Sequence, residues 1–402
     1  MPSSPSPAEA GPPLTIDLDA LIGWSGLIDP AEATIRSTVQ RFVEDRCLPH
    51  IVADFELGRF RRELIPELAQ LGLLGAPLEG YGCAGTTAVG YGLACMELER
   101  CDSGLRSFVS VQTSLAMYAI WRFGSEAQKQ RWLPPMARGH VVGCFGLTEP
   151  DHGSNPAGMA SRARRDGDDW VLDGSKLWIT NAQIADVAIV WAREAMEGGA
   201  ILGFLVEKGM PGFTTSDIPH KMSMRASVTG GLHFDGVRVP EASRLPLARG
   251  LASPLACLEN ARFGVAFGVL GAARDCFERA RRYTIDRTQF GVPIARKQLI
   301  QAQLADIAAD LVKGSVLALH YGRMKDHGRL SAVQVSLLKR ECCRLALNAA
   351  RTARGLLGAN GVTLDYGVVR HLLNLESTYT YEGTDEIHTL ALGRAVTGEN
   401  AF

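Results

Sequence analysis

Glu382 lies in the run Tyr381-Glu382-Gly383-Thr384, where its neighbours could make it a base. Thr384 is a suitable N-cap, and Asp385 and Glu386 suit the first turn of the helix it would open. Glu382 then falls just before the cap, between an aromatic residue and a glycine, and can project away from that helix. A carboxylate beside apolar surface has a raised pKa, as a general base needs; the competing reading is a solvated turn acid. Arg106 is a second candidate, in the run Glu97-Leu-Glu99-Arg100-Cys-Asp102-Ser-Gly-Leu-Arg106-Ser107-Phe-Val-Ser110. Its forked guanidinium can clamp a carboxylate bidentately, with Ser110 one helical turn on and Glu99 beside it. The competing reading pairs Arg106 with Asp102 at i−4. Residues 145–154 and 178–181 are polar, turn-rich segments at the edges of β-favouring runs. Their N–H groups and hydroxyls could hold a planar heteroaromatic ring or a phosphate, or could be ordinary turns.

Other chemistries find little support. Gly80-Tyr-Gly82-Cys-Ala-Gly85 matches GxGxxG, but a helical pattern precedes it and no βαβ unit surrounds it, so it reads as a loop. The nine histidines form no HExxH or HxxxH pattern and no cluster with cysteine, so no metal site is expected. There is no GxSxG nucleophile elbow. The nine cysteines are an odd number without a CxxC pair, and they read as buried small hydrophobes in a reducing compartment. Lys+Arg 42 against Asp+Glu 43 leaves a net charge of −1, which gives electrostatic binding of nucleic acid or an anionic membrane no support. The first residues carry neither a charged nor an apolar leader segment, and the expectation is a cytoplasmic protein.

Three segments must position the candidates. The 402 residues suffice for two or three domains at about 150 residues each. Residues 1–15 read as a disordered Pro/Ser/Ala tail. Over residues 16–142 the pattern is helical: one helix starts at Pro30 and stops at Leu48-Pro49, and others are expected over 62–74, 88–100, 107–123 and 126–137. Residues 143–246 carry short β-favouring runs, including a strand–turn–strand hairpin about Asp173-Gly174 and further strands over 187–191, 201–206, 231–234 and 237–239. Long apolar-periodic runs return over 247–402, at 255–282, 298–325, 331–357 and after Thr384.

Residues 144–150 (CFGLTEP), 178–181 (WITN), 286–291 (DRTQFG), 298–301 (QLIQ) and 381–384 (YEGT) follow one another in an order that resembles the acyl-CoA dehydrogenase family. The resemblance covers residues 29–402, and the ending at 393–402 (GRAVTGENAF) points to its glutaryl-CoA branch. It implies a multidomain fold of an N-terminal helical domain, a central β-barrel or sheet domain and a C-terminal four-helix bundle, assembled as a homotetramer around FAD. On this resemblance Phe145, Leu147, Thr148, Trp178 and Thr180 line the flavin. Arg287, Phe290, Gln298 and the turn with Gly355, Gly358 and Ala359 hold its diphosphate and adenosine from a neighbouring subunit, while Thr384 and Glu386 touch it near Glu382. Ser154, Leu258 and Arg262 meet the CoA moiety. Glu382 matches the catalytic base, and Arg106, with Glu99, Ser107 and Ser110, the recogniser of a distal substrate carboxylate; Tyr381 and Gly383 complete the substrate site. The implied reaction is α,β-dehydrogenation of an acyl-CoA, with glutaryl-CoA giving crotonyl-CoA and CO2, and with an electron-transfer flavoprotein as acceptor. A related dehydrogenase of another CoA- or carrier-protein-bound acyl thioester is the alternative. The chain departs from the branch at Leu105, Phe108, Asn155 and Ala359. Leu105 and Phe108 flank Arg106, which bears on the shape of the acyl pocket.

Overall fold

The structure, a computed structural model, describes residues 16–400, so the tail expected over 1–15 lies outside the described residues. Eight helices come first: α1 (Leu18–Ile22), α2 (Pro30–Phe42), α3 (Ile51–Leu57), α4 (Leu64–Gln70), α5 (Ala88–Cys101), α6 (Ser103–Ser110), α7 (Tyr118–Phe123) and α8 (Glu126–Ala137). Asp29 and Glu32 close a capping box on α2 behind Pro30 at its first position. A π-helical stretch, Val111–Met117, joins α6 to α7, so the helix expected at 107–123 is longer and begins four residues earlier. Such widened turns interrupt the regular ladder and often occur at functional sites. Here the stretch carries the buried polar side chains of Gln112, Thr113 and Ser114. The GxGxxG run lies in the connection between α4 and α5, with no strand before it.

The central segment has seven strands: β1 (Gly143–Gly146), β2 (Arg162–Asp166), β3 (Asp169–Thr180), β4 (Val187–Glu194), β5 (Ile201–Glu207), β6 (Phe213–Asp217) and β7 (Thr229–Pro240). They form one sheet in the order β1-β4-β2-β3-β7-β6, with β5 also on β4. β4 is parallel to β1 and β2, and the remaining pairs are antiparallel. Its run Val187–Trp191 is wholly buried, which explains its continuous apolar sequence.

The hairpin expected at Asp173-Gly174 does not form. β3 runs straight through it, and the two runs expected at 231–234 and 237–239 are likewise one strand, β7. The pairing steps from Leu172↔Val237 to Gly174↔Phe234, so β7 holds one extra residue at Asp235-Gly236. Gly174 is required by a close approach: a Cβ there would lie 2.6 Å from Ser161 Oγ. Asp-Gly inside a long strand marks a bulge or close packing as readily as a turn, and here packing decides.

The C-terminal segment comprises α9 (Ala252–Asp286), the two-stranded ribbon β8 (Thr288–Gln289) and β9 (Val292–Pro293), and helices α10 (Gln298–Asp326), α11 (Ala332–Leu356), α12 (Val368–Thr380) and α13 (Asp385–Thr397). The expected helical domain is present, with α12 as a helix the sequence pattern did not reveal. α9 packs between α5 and α11 and is buried over most of its length, so it shares a core with the N-terminal helices. Eight of the nine cysteines are buried, Cys83 partly so, and none forms a disulfide.

Candidate active site

Glu382 occupies the short connection from α12 to α13. Thr384 caps α13, its Oγ1 accepting from the Ile387 N–H at 3.3 Å. Helix α12 ends at Thr380, and between these two stops Glu382 takes φ +53°, a left-handed conformation that a non-glycine residue adopts at a cost. Its Nε-bonded neighbour is Arg262 of α9, which donates to the Glu382 carbonyl at 2.7 Å. Gly383, at φ +95°, leaves room for His388, because a Cβ would stand 2.8 Å from His388 Nε2.

The Glu382 side chain is not a solvated turn acid. Its Oε2 is shut off from solvent without a hydrogen-bond partner. Burial raises its pKa above the usual carboxylate value, opposed by Arg106, Arg262 and Lys339 in that order. Its own backbone N–H donates to no acceptor among the described residues.

Arg106 stands beside this carboxylate, 1% exposed. It does not pair with Asp102 as the i−4 alternative has it. Nε donates to Glu99 Oε2 of α5 at 2.6 Å, and Nη2 donates to the Tyr381 hydroxyl. Asp102 instead pairs with Arg370 at 2.7 Å and receives Asn374 at 2.9 Å. Arg106 donates through Nε and Nη2, and Nη1 makes no hydrogen bond among the described residues. Ser110, one turn on, is fully buried with an unpartnered hydroxyl. Glu99, Arg106, Tyr381 and Glu382 therefore form one group with two unfilled polar positions, a cationic one at Arg106 and an acidic one at Glu382. Ser107, on the same helix, is buried.

Leu105 and Phe108 face away from that group. Phe108 stacks on Phe60 with ring centroids 4.8 Å apart, and Leu105 lines a small cavity with Cys47, Phe60 and Ala226. The departures flank Arg106 in sequence but pack behind it.

On the β-segment, Trp178 lies in the irregularity of β3 between Lys176 and Ile179, with φ +63° and 58% of its surface exposed. Leaving the pleat turns its ring outward. The Leu177 N–H donates to Thr148 O at 2.9 Å, which brings the loop after β1 beside Trp178. The hydroxyls of Thr148 and Thr180 make no hydrogen bond among the described residues. An uncovered indole face with two unused hydroxyls fits a planar, polar-edged ring. Phe145 and Leu147 are buried in the core, Phe145 against Trp191 at 6.0 Å, so they can offer such a ring backbone only. Under this loop the buried Lys176 donates to Glu149 at 2.7 Å and to Leu147 O at 3.2 Å.

Arg287, Phe290, Gln298, Gly355, Gly358 and Ala359 lie apart from the Glu382 group, all exposed on the outer side of the C-terminal helices. Phe290 is 91% exposed. Tyr283 connects them, accepting from Asn360 through its hydroxyl at 3.1 Å and from the Arg287 N–H through its carbonyl at 2.8 Å. Ser154 is exposed after β1, Leu258 is half-buried one turn before Arg262, and Glu386 is exposed. Sequence reasoning missed Gly268, Lys339 and His388, which pack directly on the group. Lys339 carried a legible signal, because it falls on the buried stripe of α11 with Val335, Leu338 and Cys342.

A three-segment fold that carries both a secluded carboxylate and an outward-facing tryptophan defines a dehydrogenase of the flavin-dependent acyl-thioester class. The chain belongs to the acyl-CoA dehydrogenase family, whose N-terminal, middle and C-terminal domain models match residues 29–140, 144–237 and 248–397. The crystal structure of glutaryl-CoA dehydrogenase from Mycobacterium smegmatis superposes with a TM-score of 0.94 at 57% identity, covering 96% of this chain and 99% of that one. A glutaryl-CoA dehydrogenase of the same organism in complex with FADH2 gives 0.95 at 52% identity, covering 96% and 100%. The short-chain-specific acyl-CoA dehydrogenase of Megasphaera elsdenii is 34% identical over 88% of this chain and 95% of its own length.

Proposed function

We propose that this protein is an FAD-dependent glutaryl-CoA dehydrogenase that oxidises and decarboxylates its substrate to crotonyl-CoA and CO2. The observation that carries the reading is the placement of Arg106 Nη1 and Glu382 Oε2, one cationic and one basic, both unfilled, in a single group. Arg106 binds the distal carboxylate of the acyl chain, held in place by Glu99 and Tyr381. Glu382 takes the α-proton, while its unused backbone N–H donates to the thioester carbonyl and stabilises the developing enolate. FAD, when bound, supplies the acceptor for the β-hydride. After oxidation the γ-carboxylate leaves as CO2, its bonding electrons pass into the dienolate, and protonated Glu382 returns a proton to carbon.

Thr148, Trp178 and Thr180, with the Phe145 and Leu147 backbone, hold the ring end of FAD; Thr384 and Glu386 approach it from the Glu382 side. Arg287, Phe290, Gln298 and the Gly355–Gly358–Ala359 turn serve a neighbouring subunit's FAD in a homotetramer, a role supported by the exposure of Phe290. Ser154, Leu258 and Arg262 line the way to CoA. The two electrons leave to an electron-transfer flavoprotein. The 34% identity to a short-chain-specific enzyme supports a second reading, plain dehydrogenation of an uncarboxylated acyl thioester. Release of labelled CO2 from carboxyl-labelled glutaryl-CoA tests the choice. Enoyl product without CO2, or no turnover, sinks the first reading.

A further inference from the structure

Lys339 is 1% exposed on α11, yet no carboxylate pairs with it among the described residues. Its Nζ donates to Gly383 O at 2.8 Å and Tyr379 O at 3.5 Å. One ammonium therefore ties the last turn of α12 to the residue after Glu382. Arg262 holds the Glu382 carbonyl from the other side at 2.7 Å, also without an ion pair of its own. A buried cation without a counter-ion is destabilising, so two of them around one short connection need a compensating charge. Asp385 is not available, because Arg344 engages both of its oxygens at 2.6 and 2.5 Å. Glu99 is taken by Arg106 and Ser103. Glu259 faces Arg262 but not Lys339, so Glu382 is the remaining carboxylate that faces both cations.

We propose that Lys339 is a positioning residue for Glu382, fixing the left-handed turn that aims the carboxylate and holding it ionised from a distance, without occupying its oxygens. A lysine paired directly with Oε2 would quench a base, whereas one anchored on neighbouring carbonyls leaves Oε2 open to a substrate proton. The charged and titratable groups around Glu382 are Arg106 on α6 with Glu99 of α5 behind it, Arg262 on α9 with Glu259 beside it, Lys339 on α11 with Cys343 beside it, the adjacent Tyr381, and Asp385 and His388 on α13. His388 stays neutral: burial first, then Lys339 and Arg262, push its pKa down to about 3. Burial lowers the pKa of Lys339 and of Arg262, and the Glu382 carboxylate opposes that shift in both. This inference rests on Glu382 being the base.

The test is the pH profile of kcat/KM in FAD-loaded wild type, Lys339→Gln, Lys339→Arg and Glu382→Gln, with glutaryl-CoA or butyryl-CoA, whichever wild type turns over faster. Lys339→Gln removes the cation but keeps a donor, and its acid limb is expected to move up by about 1 pH unit, because the ionised base loses a neighbouring positive charge. Lys339→Arg keeps the charge and is expected to leave the limb in place while lowering the plateau. An unmoved limb in Lys339→Gln, at any plateau, overturns the proposal. Should Lys339→Gln yield no FAD-loaded protein, Lys339→Arg decides: a limb at the wild-type position with a lowered plateau supports the role, and a displaced limb overturns it. Near-normal turnover in Glu382→Gln overturns the assignment of the base itself, which separates that failure from failure of Lys339 alone.

Discussion

Arg106 donates to Glu99 at 2.6 Å across two helices, and Gly268 of α9 presses on the pair so closely that a Cβ there would stand 2.1 Å from Glu99 Oε2. Both charged side chains are almost wholly buried, at 1% and 0% exposure. Glu99 takes Arg106 through Nε, Tyr381 takes it through Nη2, and Ser103 occupies the other Glu99 oxygen at 2.7 Å. The guanidinium is thereby fixed in one orientation with Nη1 outward. A buried ion pair is weak evidence of stabilisation, but one member with a free donor is a preorganised receptor for an anion.

Replacing Arg106 with Gln should separate binding from scaffolding. Losing one partner of a buried charged contact lowers kcat/KM for glutaryl-CoA by about 10²- to 10³-fold, with less than about tenfold loss for butyryl-CoA, which has no distal charge to hold. The variant also leaves Glu99 unpaired, at roughly 3–5 kcal/mol of stability. Glu99→Gln added to it should restore much of the melting temperature and none of the selectivity. Steady-state kinetics on the two substrates and thermal unfolding check this; equal losses on both substrates reduce Arg106 to a structural role.

Gly268→Ala makes the same point without touching charge. The added methyl group forces Glu99 aside, with an overpacking cost of about 1–3 kcal/mol, and carries Arg106 with it. Selectivity for glutaryl-CoA over butyryl-CoA should fall while Glu382 and bound FAD remain in place. Unchanged selectivity with a lowered melting temperature would show that the pair tolerates displacement.

Much of this was legible in the residues, and what was not has physical causes. The order helical, β, helical follows from periodicity, and the N-cap at Thr384 with Glu382 outside the helix follows from capping chemistry. Asp173-Gly174 misled because turn propensity is local, whereas β3 is held on both flanks by β2 and β7. Arg106 offered two partners in sequence. Asp102 is nearer in the chain, but Arg370, 268 residues away, claims it. No local pattern places Gly268 against Glu99 or Lys339 beneath Gly383, because those contacts join distant helices. The exposed set from Arg287 to Ala359 was named only through resemblance to a family, and nothing in its spacing alone brings it together.

The Lys176–Glu149 pair beneath the loop after β1 predicts a pH dependence of stability. Burial pushes the Glu149 carboxyl up, but hydrogen bonds from Lys176, Ser161 and Ala160 outweigh it and hold the pKa at about 2. A folded-state pKa below the unfolded value of roughly 4.3 gives stabilisation present above that value and lost as pH falls toward the folded one. Urea midpoints should therefore drop between about pH 4.5 and 2.5 in wild type. Glu149→Gln should be less stable at pH 7 and show a shallower fall across that window. An identical slope in both proteins would remove Glu149 from the acid response.

Glu382→Gln is the substitution on which the whole chemical reading turns. Gln is nearly isosteric, keeps the backbone N–H proposed to meet the thioester carbonyl, and leaves Arg262 on the 382 carbonyl and Lys339 on the 383 carbonyl, so the turn and the FAD site should survive. What it lacks is an acceptor for the α-proton, and general-base removal costs on the order of 10²–10⁴-fold in rate. FAD content should match wild type by absorbance, and substrate affinity should change little, because the contact proposed between Arg106 and the distal carboxylate is untouched. Loss of α-deuterium exchange in bound acyl-CoA should parallel the loss of turnover. The raised pKa of Glu382 adds a signature: it falls when substrate excludes water only if Arg106, Arg262 and Lys339 outweigh the added burial, and rises further otherwise. The acid limb of kcat against that of kcat/KM reads this balance directly. A limb that moves upward on binding means that desolvation dominates at the moment the base must act.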